Sequence, residues 1–342
     1  MTANFRSDNE TPVAAAIMDA IVNANQGTAW AYAEDDWSNQ LNRAFSELFR
    51  TEAVVLPVST GTVANSIALA TVTPPWGSVF CHSGAHIQND EGGAPEFFGN
   101  GLRLVPVHGE NGKLKPEAVE KAIRASEGHG VHSYKAAALS LTQATEGGTV
   151  YTIDEVKALC DCAHAMGLKT HMDGARFGNA IASLGCHPAE VTVEAGIDML
   201  SFGASKNGCM AAEALVIFNQ PEWYETAERL RKRSGHLLSK MRYISAQLLA
   251  YIENDRWLDM AGHANKQAAK FAQAVENHPG AELEYPVDAN EVFVKWNKEG
   301  FDHLVSQDIQ FQLWPGRDDL ARFVFGHSSN DEVTRTLINA LA

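Results

Sequence analysis

Lys206 stands in Ser201-Phe202-Gly203-Ala204-Ser205-Lys206-Asn207-Gly208, just past an apolar run and among glycines and small hydroxyl residues. A lysine so placed can be desolvated; burial disfavours its charged form, lowers its pKa and frees the amine for Schiff-base chemistry. The plain alternative is a solvated loop lysine. A second group is His171-Met172-Asp173-Gly174-Ala175-Arg176, at the carboxyl end of the apolar run Leu168–Met172. Ligands of open α/β sheets bind outside the carboxyl ends of strands. An Asp there can keep a pyridine nitrogen protonated and make the ring a better electron sink; a structural Asp–Arg pair is the alternative. The interval from 173 to 206 leaves room for one helix and one strand, which puts both side chains at one sheet edge. Third, Ser59-Thr60-Gly61-Thr62 lies between an expected strand and an expected helix. Free N–H groups and hydroxyls at a helix start suit a phosphate, or simply make a hydroxyl N-cap. Fourth, His86 precedes Gly92-Gly93 and is placed either to lie flat on a cofactor ring or to serve as a capping or core histidine.

The elements that must position these residues alternate in the βα manner of a mostly parallel sheet. Expected strands are 53–58, 78–81, 102–107, 136–141, 168–172, 199–202 and 212–218, with helices near 63–70, 116–126, 153–166 and 188–195. Pro116 and Pro188 fit first-turn positions, and Gly167 fits a helix stop. From Glu222 to about Val275 the period is helical. Short strands (292–296, 322–325) and a closing helix (331–341) follow. The economical division is a large domain over residues 1–240 and a small C-terminal α/β domain over 241–342. The 342 residues are 45% AVILMFWYC, and a net charge of −15 argues against the basic stripe that a broad nucleic-acid footprint needs. Five scattered cysteines make no disulfide framework and point to a reducing cytoplasm. The opening residues show no basic segment followed by an apolar run, so no signal peptide is expected. The uncharged stretch 53–89 is broken by Pro57, Gly61, Pro74, Pro75 and Gly77 and reads as buried core, not a membrane span.

Phosphate loop, stacking histidine, Asp for a pyridine nitrogen and Schiff-base lysine, in that order, together specify a pyridoxal-phosphate enzyme of the aspartate-aminotransferase-like fold. The chain also resembles the low-specificity L-threonine aldolases, β-hydroxy-α-amino-acid aldolases of the β-eliminating-lyase group. The resemblance runs through Phe5-Arg6-Ser7-Asp8, Tyr32-Ala33-Glu34-Asp35, Thr60-Gly61-Thr62-Val63-Ala64-Asn65, Ala85-His86-Ile87, the Asp173–Arg176 and Ser205–Gly208 segments, and Arg322-Phe323-Val324. It implies an α/β architecture of fold type I: a large domain on a mostly parallel seven-stranded sheet, and a small C-terminal α/β domain. It also implies that Lys206, preceded by Ser205, bonds the cofactor, that Asp173 pairs with the pyridine nitrogen and that His86 stacks on the ring. Thr60, Gly61 and Thr62 would cradle the phosphate, with Arg231 or Arg233 arriving from a neighbouring subunit. Arg176 and Arg322, with Ser7, would grip the substrate carboxylate, since a guanidinium fork matches a carboxylate bidentately. Tyr32 would lie near the cofactor across a dimer interface.

Cleavage of Cα–Cβ needs a base on the β-hydroxyl, for which His86 and His132 are the candidates. Asp90 would orient the hydroxyl or the histidine. Many family members carry an Asn-Thr-His-Asn-like stretch where this chain has Leu141-Thr142-Gln143-Ala144. Gln143 can still donate to the cofactor's phenolic oxygen, while Ala144 removes a polar group, so substrates with aromatic Cβ groups such as phenylserine come within reach. No metal site is read: Cys160 and Cys162 do not face one another on a helix, and Ser83-Gly84 spoils the His82/His86 spacing. The resulting expectation is a pyridoxal-phosphate lyase that splits L-threonine-type amino acids into glycine and an aldehyde, as a homodimer or homotetramer sharing sites. The rivals are a β-eliminating lyase or dehydratase on the same cofactor, and a catalytically silent relative acting as a binding scaffold.

Overall fold

The computed structural model describes residues 3–341. A two-residue strand, Ala3–Asn4 (β1), and two helices, Ala15–Ala24 (α1) and Asp36–Phe49 (α2), precede the main sheet. Asp35 caps α2 by accepting from the Ser38 N–H at 2.9 Å, and Leu41, Phe45 and Phe49 form its buried stripe. The sheet begins with Ala53–Val58 (β2), followed by Gly61–Val72 (α3) and Gly77–His82 (β3). The short helices His86–Asn89 (α4) and Ala94–Phe98 (α5) lead to Arg103–Val107 (β4), Pro116–Ser126 (α6) and Lys135–Thr142 (β5). Then come Ile153–Ala165 (α7), Lys169–Gly174 (β6), Phe177–Leu184 (α8), Met199–Gly203 (β7) and Glu213–Phe218 (β8).

The seven strands lie in the order β2-β8-β7-β6-β5-β3-β4. All pairs are parallel except those that β8 makes with β7 and β2, so the sheet is the mostly parallel one expected. Successive strand residues point to opposite faces. Val55, Leu200, Phe202, Val216 and Phe218 join a core with Phe45, Phe49, Phe177 and Trp257, whereas Leu56, Val58, Met199, Leu215 and Ile217 pack with α3. Parallel strands share one carboxyl edge, and the loops after β2, β3, β6 and β7 all open there.

The rest of the chain is Tyr224–Arg233 (α9), Arg242–Ile252 (α10) and Arg256–Glu276 (α11), then Glu282–Leu283 (β9) and Glu291–Lys295 (β10). Lys298–Ser306 (α12), Ile309–Gln310 (β11), Gln312–Leu313 (β12), Leu320–Val324 (β13) and Asp331–Asn339 (α13) complete it. A four-stranded sheet in the order β12-β13-β10-β9 covers a second core around Phe271, Phe301 and Phe323. Helix α10 packs against α1 and α2, and its Ile244, Leu248 and Tyr251 belong to the large core. Helix α11 enters that core through Trp257 and the small one through Phe271. The apolar handover therefore falls inside α11, beyond residue 240. The N-terminal strand belongs to the small unit, with β1 paired to β11 and Phe5 in the second core.

The helix expected at 188–195 is a run of turns closed by a short 3-10 segment, Val193–Ala195. Polar side chains bond locally instead: Thr192 Oγ1 donates to the Pro188 carbonyl at 2.6 Å and Glu190 accepts from the His187 N–H at 2.7 Å. Among the described residues, no helix is long and apolar enough to cross a membrane.

Candidate active site

Lys206 sits on a 3-10 turn, Ser205–Asn207, directly after β7. The turn is fixed from below: Asn207 Nδ2 donates to the Tyr251 hydroxyl at 2.7 Å and to the Trp257 carbonyl at 2.8 Å. It closes on Gly208 at φ +101°, where a Cβ would come within 3.1–3.2 Å of Met260 and Ala14, so only glycine fits without strain. Asp173, at the end of β6, accepts from Asn65 Nδ2 at 2.9 Å and from the Ala175 N–H at 3.1 Å. The same amide of Asn65 reaches Glu91 Oε1 at 2.8 Å. Glu91 in turn lies 2.9 Å from Nδ1 of His86; a carboxylate partner fixes Nδ1 as the donor and leaves Nε2 free. Glu91 is buried, and its hydrogen bond is the main reason the His86 pKa is raised.

Lys206, Asp173, His86 and Glu91 line one cleft of about 350 Å³ with Thr60, Gly61 and Thr62. Thr60 caps α3, its hydroxyl accepting from the Val63 N–H at 3.3 Å. The remaining N–H groups of the first turn face an anion position. Ser59 Oγ contacts His236 Nδ1 at 3.1 Å, and burial lowers the pKa of this histidine.

An adjoining pocket of about 430 Å³ shares His86 and Lys206 and holds Ser7, Arg176 and Arg322. Arg176 is buried and already engaged. Its Nε and Nη2 donate to the two oxygens of Asp8 at 2.8 and 3.0 Å, and Nη1 lies 3.1 Å from Glu291 Oε2. Burial alone would raise the Asp8 pKa, but Arg176 holds it below the ordinary carboxylate value. Glu291 keeps a raised pKa because burial outweighs its arginine neighbours. Arg322 donates from Nη2 to Gln312 Oε1 at 2.7 Å and reaches Glu291 Oε1 at 3.4 Å.

The fold brings Lys206, Ser205, Asp173, His86 and the Thr60–Gly61–Thr62 loop together, with Ser7, Asp90, Arg176 and Arg322 in the adjoining pocket. It does not bring the other expected residues into the cleft of their own chain. His132 ends a 3-10 turn just before β5, whereas Thr142, at the far end of that strand, pairs with Asp173; about 20 Å of strand separates it from the cleft. Gln143 turns inward, its amide bonded at both ends to the Tyr151 backbone at 2.9 and 3.0 Å, so it does not reach a cofactor oxygen. Arg231 is buried against the Pro57 carbonyl and Glu228. Arg233 and Tyr32 are exposed and line neither pocket, the Tyr32 ring lying under Lys232. Asp90 is not the partner of His86; Glu91 is. Glu91, Glu213 and Glu291 join the site without a motif that marks them, and Asn65 and Asp8, present in the sequence only as parts of longer motifs, hold Asp173 and Arg176. The available signal was an acid inside an otherwise apolar run, as in Ala211-Ala212-Glu213-Ala214-Leu215.

The family model described as "Beta-eliminating lyase" matches residues 4–299. The low-specificity L-threonine aldolase of Pseudomonas aeruginosa is 39% identical over 337 residues, covering 98% of this chain and 96% of that protein. Among solved structures, the threonine aldolase of Leishmania major superposes with a TM-score of 0.92 at 25% identity, covering 99% and 98% of the two chains. Oryza sativa TDC with PLP, at 13% identity and a TM-score of 0.77 over 99% of this chain and 82% of that one, shares the fold.

Proposed function

The chain belongs to the β-eliminating lyase family and, within it, to the low-specificity L-threonine aldolases; from that premise we propose that it cleaves L-threonine, L-allo-threonine and related β-hydroxy-α-amino acids, phenylserine included, to glycine and an aldehyde. It is a carbon–carbon lyase, and its cofactor is pyridoxal phosphate. The cleft fits that cofactor: an amine, a carboxylate held by two donors, an imidazole and the start of α3 converge in a volume suited to a small ligand. When bound, the cofactor supplies an electron sink for the pair released as Cα–Cβ breaks.

The protein's own groups do the rest. Lys206 would be the attachment point, Asp173 would keep a proton on the pyridine nitrogen, and His86 would contact the ring. Thr60, Gly61 and Thr62 receive the phosphate. Arg176 and Arg322, with Ser7, would orient the substrate carboxylate and so fix which bond to Cα is broken. His86 is the base that takes the proton of the β-hydroxyl, and Glu91 positions it. The observation that carries this reading is the shared cleft: His86, held by Glu91, and Lys206 line both the cofactor and the carboxylate pockets. Tyr32 and Arg233, exposed outside their own cleft, serve the neighbouring subunit in a homodimer or homotetramer. Five unpaired cysteines support a cytoplasmic home.

Product analysis of the loaded enzyme with L-threonine tests the reaction. Acetaldehyde and glycine in equal amounts are expected; ammonia and 2-oxobutanoate would mean that Cβ–O is the bond broken and would remove the role given to His86.

Glu91→Gln tests the base. The change keeps an acceptor for His86 but replaces the carboxylate hydrogen bond that raises its pKa with a weaker neutral one, so the acid limb of kcat/KM against pH should move to lower pH. The maximum should fall by at least about tenfold, out of the roughly 10²–10⁴ that a positioned base contributes. A limb that stays in place would show that another group titrates.

A further inference from the structure

Glu213 occupies a position where an anion site would be expected to exclude a carboxylate. Strand β8 runs against its neighbours, so its first residue, not its last, lies at the carboxyl edge. There Glu213 pairs with Val58 of β2 on one side and Gly203 of β7 on the other. The next residues on those strands are Ser59, which opens the anion loop, and Ala204, which leads into Lys206. Its side chain shares the face of Leu215 and Ile217, the face covered by α3. It lines the same cleft as Thr60, Gly61, Thr62 and Lys206 and is only 7% exposed. Its two oxygens accept from the N–H groups of Ala204 and Ser205 at 3.1 and 3.3 Å.

Resting on the cofactor reading above, we propose that Glu213 takes one proton from solvent when a phosphate monoester enters the Ser59–Thr62 loop, so that the phosphate meets a neutral acid and not a second anion. A phosphate monoester carries about −1.5 to −2 at neutral pH, and a like charge disfavours ionisation of a nearby carboxyl. Glu213 is already poised for this, because burial pushes its pKa up to about 7. The cation facing it is Lys206, on the turn after β7. From the segment after that turn and from α10 the titratable groups are the Cys209 thiol and the Tyr251 phenol, both raised mainly by burial and both uncharged at neutral pH. After α9 comes His236 on Ser59, its pKa lowered by burial. Lys206 favours the ionised acid in the empty cleft, and an incoming dianion reverses the balance.

The test uses the full-length protein stripped of cofactor and deoxypyridoxine phosphate, which keeps ring and phosphate but lacks the aldehyde. Dissociation constants are measured from about pH 6 to 9 for wild type and Glu213→Gln. Above neutral pH the wild-type affinity should weaken by about tenfold per pH unit more than that of the variant, the slope for one linked proton. Ionisations of the ligand itself are common to both proteins and cancel in the comparison. Equal slopes would overturn the proposal and leave Glu213 as an acceptor for two N–H groups. If the glutamine variant does not fold, infrared difference spectra of wild type with labelled glutamate decide the matter. A carboxylic-acid carbonyl band should appear when the ligand is added at mildly alkaline pH, and its absence rejects the proton uptake. Failure of both proteins to bind at every pH would instead sink the cofactor reading, and the proposal with it.

Discussion

Lys206→Ala should give a folded protein that lacks the yellow absorption of the attached cofactor and has lost turnover by at least about a thousandfold, within the range a single acid–base or nucleophilic group contributes. The fold should survive because Lys206 is only partly buried, and its turn is held by Asn207, Gly208 and the backbone bonds to Glu213. What disappears is the only lysine amine lining the cleft among the described residues. Lys206→Arg should fail equally: it restores a charge but not an amine that can lose its proton. Absorption spectra and aldehyde release, read on the same preparations with circular dichroism as the fold check, give the answer. Turnover retained by the alanine variant would show that the reacting amine lies elsewhere and would sink the assignment.

Lys206, Asp173, Thr60 and His86 are legible in the sequence for one physical reason. Each stands at or just after the end of one of four strands that run in the same direction, so a short window of residues states both its chemistry and its place at the carboxyl edge. The residues that tune them carry no such local mark. Asp8 meets Arg176 across 168 positions, and Glu291 arrives from a strand of the small sheet. Glu213 reaches the edge only because β8 is reversed, which alternation of apolar residues does not reveal. Glu91 is one residue from the expected Asp90, yet it is buried against Asn65 and His86 while Asp90 is exposed. A turn of backbone decides which of two adjacent acids points inward. Gln143 fails as a cofactor ligand because the buried N–H and C=O of Tyr151 need partners, and its amide supplies both. His132 has the residue type of a base, but it precedes β5, whose direction carries the cleft to the opposite end of the strand.

Arg176→Ala should be the most destabilising single change near the site, at about 3–5 kcal/mol, because it strands the buried Asp8 carboxylate and leaves buried Glu291 only Arg322, at 3.4 Å. Asp8 and Glu291 are both 1% exposed, and the lost guanidinium served three of their four oxygens. Asn290 Nδ2, 3.1 Å from Asp8 Oδ2, is a neutral donor and cannot replace it. The loss depends on pH in a way that identifies its cause. In the wild type Asp8 titrates below its ordinary value, so its contribution is complete above the unfolded pKa and fades as pH falls through the folded one. Without Arg176 burial dominates, the folded pKa of Asp8 rises above the unfolded value, and that of Glu291, already raised, rises further. The variant is then favoured at acid pH and loses stability as pH rises. The gap between the denaturant midpoints of the two proteins should therefore widen from acid to neutral pH. Replacing Asp8 and Glu291 by Asn and Gln in the same chain should recover much of the stability, since neutral amides are less costly to bury. It should not recover affinity for the substrate carboxylate, which needs the cation. A pH-independent loss below about 1 kcal/mol, the scale of exposed ion pairs, would show that water reaches this cluster and that the N-terminal segment is not locked to the site through Arg176.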